Sequence, residues 1–295
     1  MAALFLTLGR PVDRAAAVRW SHIAMVGNAL ARAARAPLLR AAMWRGTYAV
    51  LATGLRRLPL GFLNYGYAPL DPEGTGPPLT EDEKDERYGA WLYAVVTGAV
   101  ELAGRDVLEV SCGRGGGCKW ILRHCGPRSV TGIDTCSGAV RAARRLYGRE
   151  GIDFRIGNAE ALPFPNCTFD AVVNIESSHC YPSLPRFLAE AHRVLGPGGY
   201  LMIADFRDRS DVPAFLQALR ESRMTQLEQR DISANVHIAL ERDAERRRLL
   251  IRRTFPRFLH PSCAEFAGLP GSAVYRGLAD GEVRYLVLLL QREAA

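Results

Sequence analysis

Two acidic side chains bracket a glycine-rich turn near the middle of the chain. Residues 105–118 read Arg-Asp-Val-Leu-Glu-Val-Ser-Cys-Gly-Arg-Gly-Gly-Gly-Cys, an amphipathic run follows, and Ser-Val-Thr-Gly-Ile-Asp closes the unit at Asp134. Val107, Leu108 and Val110 predict a short apolar strand. The loop Gly113-Arg114-Gly115-Gly116-Gly117 lets the backbone turn tightly and meet a ligand with no Cβ in the way. Trp120, Ile121 and Cys125 then recur at helical spacing. A strand, a glycine turn and a helix N-terminus together make a site for a polar or anionic group. The second strand, Val130 to Ile133, ends in Asp134, which is placed to accept from ribose hydroxyls. The nicotinamide fingerprint would need glycine where Cys118 stands, and no lysine with Ser/Thr closes the loop as in a phosphate-cradling P-loop.

An acid also lies inside the first strand: Glu109, four residues before Gly113. This arrangement resembles the first motif of the class I S-adenosylmethionine-dependent methyltransferases. The resemblance implies S-adenosyl-L-methionine as cofactor and no metal. It places Glu109 near the ammonium of the methionine moiety, Gly113 and Gly115 under the cofactor and Asp134 on the ribose, with Ser111 and Thr135 among the cofactor-binding residues. Gly157-Asn158-Ala159-Glu160, with Leu162-Pro163-Phe164, matches the family loop that holds the adenine. The family residue at the second place is aspartate. Asn158 keeps an acceptor oxygen for the adenine amino group but without charge assistance.

The segment Asn174-Ile175-Glu176-Ser177-Ser178-His179-Cys180-Tyr181-Pro182 leaves the fourth strand. In small-molecule members this turn lies beside the methyl group and carries the base. By that resemblance His179 is the base, and Asp205, at the end of the fifth strand, orients the imidazole and stabilises its charged form. A histidine with an ordinary pKa near ~6.5 is often neutral at working pH and can take a hydroxyl proton. A role for His179 as a mere turn cap competes with this. Asn174 and Glu176 fall to the cofactor, and Tyr65, Tyr67 and Tyr181 to the acceptor. The Asn/Asp-Pro-Pro-Tyr/Phe motif of base-amino methylation does not occur here, which argues against nucleic-acid substrates. Asn64-Tyr65-Gly66-Tyr67, Leu108 to Gly117, Ile175 to Pro182, Pro185 to Gly199 and Ala204-Asp205 are most similar to the phthiotriolone/phenolphthiotriolone dimycocerosate methyltransferases. Those enzymes O-methylate a hydroxyl on a long, waxy polyketide lipid. The likeness covers residues 64–291.

The elements that must position these residues follow from pattern. Thr80 with Glu83 makes a capping box. The helix it opens is read with Tyr88, Trp91, Leu92, Val95, Val96 and Leu102 on one face. Before it, Asn64 to Pro78 is a lid-like loop rich in proline and glycine. Ser137 to Tyr147 is helix, Ile152 to Ile156 the third strand, Phe169 to Ile175 the fourth, and Leu184 to Leu195 a helix stopped by Gly196-Pro197-Gly198-Gly199. Tyr200 to Ala204 is the fifth strand. Such alternation predicts an α/β, doubly wound, mostly parallel sheet, and by resemblance a seven-stranded Rossmann-like one with an antiparallel C-terminal strand. Asp211 to Leu259 reads as helical and heavily charged, a cap above the strand carboxyl ends. Ser272 to Leu278, an Asp280-Gly281 turn and Val283 to Gln291 read as a closing hairpin.

Hydrophobic residues make up 48% of the 295-residue chain, enough for a packed core. The net charge is +7, but residues 1–60 hold nine arginines against Asp13 alone, or +8, leaving about −1 for the rest. A nucleic-acid reader would carry its basic face on the recognising domain. Seven cysteines, at 112, 118, 125, 136, 167, 180 and 263, form no C-x-x-C pair and suggest a reducing compartment. No apolar run reaches bilayer length, and Ala2 to Leu8 has no basic region before it, so a cytoplasmic protein is expected. Residues 14–57 form arginine-rich amphipathic helices with three readings: a helical cap on the enzyme, a membrane-surface segment for peripheral contact, or a cleaved transit peptide.

The expected organisation is a basic helical segment (1–62), a lid loop and cofactor-covering helix (63–104), the cofactor-binding core (105–206), a helical cap (207–262) and a C-terminal hairpin (263–295). The expected activity is methyl transfer to a hydroxyl of a small hydrophobic or lipid-like acceptor. C-methylation of a sterol or quinone-like ring, and a non-catalytic cofactor-binding protein, are the alternatives.

Overall fold

The computed structural model describes residues 60–71, 74 and 76–294. The expectations for residues 1–59, including membrane contact through residues 14–57, lie outside the described residues.

Seven strands form one sheet: β1 (Asp106–Val110), β2 (Ser129–Asp134), β3 (Asp153–Ile156), β4 (Phe169–Ile175), β5 (Leu195–Asp208), β6 (Met224–Asp231) and β7 (Val283–Arg292), in the order β3-β2-β1-β4-β5-β7-β6. Strands β1 to β5 pair in parallel, and β7 runs antiparallel between β5 and β6. The helices are α1 (Arg87–Thr97), α2 (Gly116–Cys125), α3 (Ser137–Tyr147), α4 (Leu184–Val194), α5 (Val212–Arg220), α6 (Ser233–Arg242), α7 (Ala244–Thr254), α8 (His260–Phe266) and α9 (Ala273–Asp280). The doubly wound, mostly parallel α/β sheet is as expected.

The central strands are apolar because both of their faces are covered. Val107, Leu108, Ala171, Val172 and Val173 are fully buried. Strand order reverses between β1, which leads outward to β2 and β3, and β4, which leads to β5. A crevice opens at such a point beyond the strand carboxyl ends. The glycine loop after β1 and the turn after β4 both border it.

Two elements differ from expectation. The sixth strand is β6, inside the stretch read as wholly helical. It is an edge strand in which Met224 alone is buried, so its sequence Met-Thr-Gln-Leu-Glu-Gln-Arg-Asp carries no apolar alternation to announce it. The expected hairpin partner at 272–278 is the helix α9. Ser272 caps it by accepting from the Tyr275 amide at 3.2 Å, and Gly281 ends it at φ 74°. Asp280-Gly281 is therefore a helix stop and not a hairpin turn. Strand β7 does pair antiparallel with β6, but four helices lie between them in sequence.

Helix α1 is also turned relative to the expected face. It buries Gly89, Ala90, Leu92, Tyr93, Val96 and Thr97, leaving Trp91 and Val95 half-buried. Among the described residues no helix is long and apolar enough to cross a membrane.

Candidate active site

The loop after β1 puts three residues into left-handed backbone: Ser111 (φ 62°), Gly113 (φ 54°) and Gly115 (φ 84°). A Cβ on Gly115 would lie 2.7 Å from the Phe154 ring, and one on Gly117 would lie 2.1 Å from the Tyr93 ring and 2.4 Å from Glu109 Oε1. Gly113 faces space, with Leu63 at 3.9 Å as its nearest neighbour. The loop is thus packed tightly beneath and open above, which makes it a cradle. Ser111 and Glu176 (φ 48°) are non-glycine residues held in the left-handed region. Strain of this kind persists only where surrounding structure fixes it, and it clusters at ligand sites.

A cavity of about 580 Å³ lies over the loop. That is the size of a small-molecule site. Residues 111–114, 134–137, 158–160, 175–177 and 180–182 line it, with residues 61–64, Tyr93, Gly117 and Ala139 completing the wall. Of the residues singled out in the sequence, Ser111, Gly113, Asp134, Thr135, Asn158, Ala159, Glu160, Glu176 and Tyr181 are on this wall. Glu109, Gly115, Asn174, His179, Asp205, Tyr65 and Tyr67 are not among the lining residues.

Glu109 lies behind the wall. It is 1% exposed, and its Oε1 accepts from the Tyr93 hydroxyl at 2.5 Å. Its Oε2 is buried with no hydrogen-bond partner. Burial pushes its carboxyl up to about 7, against the opposing pull of the bonds from Cys118 and Tyr93. Asp134 accepts from the Gly113 amide at 2.9 Å and the Cys136 amide at 2.7 Å, so it ties the two loops together. Burial also raises its pKa. Asn158 Oδ1 accepts from the Glu160 amide at 3.1 Å, so one of its two lone pairs is already used. Glu160 in turn accepts from the Ser183 amide.

Tyr181 joins the two turns. Its hydroxyl meets Ser111 Oγ at 2.7 Å, Asn174 Nδ2 at 2.7 Å and Ser177 Oγ at 3.1 Å. Asn174, fully buried, also donates to the Val110 carbonyl at 3.1 Å, and its Oδ1 has no partner. Glu176 accepts from the Tyr65 amide at 2.8 Å and the Tyr285 hydroxyl at 2.9 Å. Burial pushes its carboxyl up to about 8.

His179 and Asp205 form a buried pair at the carboxyl ends of β4 and β5. His179 Nδ1 lies 2.7 Å from Asp205 Oδ1, and the His179 amide donates to Oδ2 at 2.9 Å. Ser178 Oγ donates to the same oxygen at 2.6 Å, and Arg207 lies 3.1 Å from it. Burial alone would raise the Asp205 carboxyl; His179, Arg207 and the hydrogen bonds outweigh it and hold the group well below its ordinary value. The His179 ring is 4.3 Å from the Phe206 ring, and Phe206 is 5.4 Å from Tyr65. Tyr65 therefore packs behind the site, 7% exposed.

Sequence reasoning read Asn64 onward as a lid-like loop but passed over residues 60–63, which begin the same strap, and Tyr93. Glu86 accepts from the Gly61 and Phe62 amides at 2.9 and 3.1 Å. Arg247 donates to the Asn64 and Tyr65 carbonyls at 3.2 and 3.0 Å, and the Ala68 amide donates to Asn235 at 3.2 Å. Tyr93 was visible at i+4 from Gly89 and i−3 from Val96, the face that α1 buries.

A family model described as a methyltransferase domain matches residues 108–203. A phthiotriol/phenolphthiotriol dimycocerosates methyltransferase of Mycobacterium tuberculosis is 37% identical, over 82% of this chain and 89% of its own. A fatty-acid O-methyltransferase of Mycolicibacterium smegmatis is 37% identical over 76% of this chain and 80% of its own. Among solved structures the cyclase SpnF shares the fold at a TM-score of 0.62, with 21% identity, covering 85% of this chain and 95% of its own. The chain belongs to the class I S-adenosylmethionine-dependent methyltransferases, in the family of the phthiotriol/phenolphthiotriol dimycocerosates methyltransferases.

Proposed function

We propose that this methyltransferase acts on an oxygen of a lipid-like acceptor, with S-adenosyl-L-methionine as methyl donor. When bound, that cofactor supplies an electrophilic methyl group. The chain's own groups fit it: a glycine cradle open at Gly113, a buried carboxyl oxygen of Glu109 without a partner, and Asp134 beside the loop. Glu109 would face the methionine ammonium across Gly117, Asp134 the ribose, and Asn158 with Glu160 the adenine. The names of two relatives, one acting on dimycocerosates and one on fatty acids, support a lipid-like acceptor.

The observation that carries the oxygen reading is the His179–Asp205 pair, 2.7 Å apart and next in sequence to the cavity-wall residue Cys180. Asp205 meets the imidazole at Nδ1, and in this reading Nε2 is the atom that takes the hydroxyl proton. The test is turnover of a hydroxylated lipid with labelled cofactor. His179→Ala is expected to lower kcat about 10²–10⁴-fold with cofactor affinity unchanged. Unchanged turnover rejects the role.

A second reading rests on Glu176. It is on the cavity wall, where His179 is not, and its carboxyl is held at about 8. Glu176 would take the proton itself, which suits methylation at carbon of a sterol or quinone-like ring. Product NMR separates O–CH₃ from C–CH₃.

A further inference from the structure

Helix α7 and the turn after it carry charge that the candidate site does not use. The helix buries Ala244, Arg247 and Ile251. It turns Leu249, Arg252 and Arg253 outward, at the i, i+3, i+4 spacing that groups side chains on one face. The chain then passes Pro256 into the short 3₁₀ turn Arg257–Leu259, where Phe258 is 78% exposed. No acid occurs from Arg246 to Ala264. Asp243 is paired with Arg246 and Arg247, and Glu245 with Arg248. Among the described residues no ion pair reaches Arg252, Arg253 or Arg257.

The inner side of the same helix lines a second, smaller cavity through Arg246, Leu250 and Ile251, facing Phe255, Cys263 and Phe266. Phe62, Leu63 and Asn64 form a wall common to this cavity and the large one. The outward face is therefore on the opposite side of α7 from a small cavity that shares a wall with the candidate site.

We propose that this face, Leu249-Arg252-Arg253-Arg257-Phe258, docks on an anionic lipid surface. Guanidinium groups meet the headgroup phosphates, and Phe258 and Leu249 enter the boundary with the acyl chains. A nucleic acid would satisfy the arginines but has no apolar layer for Phe258. None of its residues belongs to the segment 14–57. Its purpose, delivery of a lipid acceptor to the strap, rests on the proposed function above; the docking itself does not.

The test is sedimentation of the full chain with phosphatidylcholine vesicles, with and without phosphatidylglycerol. The patch variant is Arg252→Gln/Arg253→Gln/Arg257→Gln. Its control, Arg141→Gln/Arg149→Gln/Arg186→Gln, removes the same charge from other exposed positions. Wild type and control are expected to pellet with the anionic vesicles. The patch variant should bind about a hundredfold more weakly, at about fivefold per arginine. Phe258→Ser alone should cost about tenfold. Equal losses in the two triple variants, or no effect of Phe258→Ser, would overturn the proposal. Calorimetric titration with S-adenosyl-L-methionine on the same samples keeps the two readings apart. Heat of binding is expected in all of them. No heat in wild type would remove the methyltransferase reading and leave the vesicle result standing.

Discussion

Tyr93, the residue of α1 on the cavity wall, donates its phenol hydrogen to Oε1 of Glu109, in β1, at 2.5 Å. This bond opposes the burial that holds Glu109 at about 7. Removing it raises that pKa further, and a neutral carboxyl attracts a cationic ligand less. Tyr93→Phe keeps the ring and its packing. It is expected to weaken cofactor binding about five- to tenfold near pH 7, the worth of one ordinary hydrogen bond. The loss should shrink at about pH 9, where Glu109 ionises in both proteins. Isothermal calorimetry across that range checks it.

Glu176 gives a stability signature. Its folded pKa, about 8, lies above its ordinary value of 4.5 because burial disfavours the charge. The contribution is therefore fully present below about pH 4.5 and is lost as pH rises through about 8. Glu176→Gln keeps an acceptor for the Tyr65 amide and the Tyr285 hydroxyl. The variant should match wild type near pH 4.5 and be about 2–4 kcal/mol more stable near pH 9. Urea unfolding at the two ends of that window measures the difference. A constant difference would mean that Glu176 does not titrate there.

The sequence showed the glycine-loop side of the candidate site better than the side formed by residues 60–68, for a physical reason. Glycines at 113 and 115 are demanded by left-handed backbone, and the acids at 109 and 134 sit in the two strands that flank the loop, so their spacing is local and readable. The strap at 60–68 is set by hydrogen bonds to Glu86, Arg247 and Asn235, far away in sequence, and nothing within the strap announces them. Strand β6 was hidden because an edge strand with one buried residue needs no apolar alternation. Tyr65 is assigned to the acceptor from the sequence, and in the fold its ring packs 5.4 Å from that of Phe206. His179 and Asp205 were legible as a pair, whereas their depth behind Cys180 depends on β5 and Phe206 packing against them.

Arg247 should matter for the strap more than for α7. It is 9% exposed, donates to the carbonyls of Asn64, Tyr65 and Ala267, and pairs with Asp243 at 2.8 Å. Arg247→Met fills the volume but leaves those carbonyls without a donor. Arg246 still neutralises Asp243, so the expected loss is about 2–3 kcal/mol, below the usual cost of breaking a buried pair. Hydrogen exchange should then quicken at residues 61–68 while β1 and β4 keep their protection. Uniform loss of protection would show that the arginine holds the whole fold and not the strap.

The acceptor's own acidity decides whether His179 is needed. An alcohol keeps its proton at any working pH, so transfer to its oxygen gains from a base held within reach. A carboxylic acid is ionised above about pH 4–5 and brings its own nucleophile. His179→Ala should therefore lower kcat about 10²–10⁴-fold on a hydroxy lipid and about tenfold or less on a fatty acid. Asp205→Asn should follow the same split, since its amide oxygen can still accept at Nδ1 but no charge remains to stabilise the imidazolium. It also leaves Arg207 without its carboxylate, so thermal unfolding must accompany the rates. Equal losses on both acceptors would make His179 a positioning residue that shapes the turn after β4, because a group that takes a proton has nothing to take from a carboxylate.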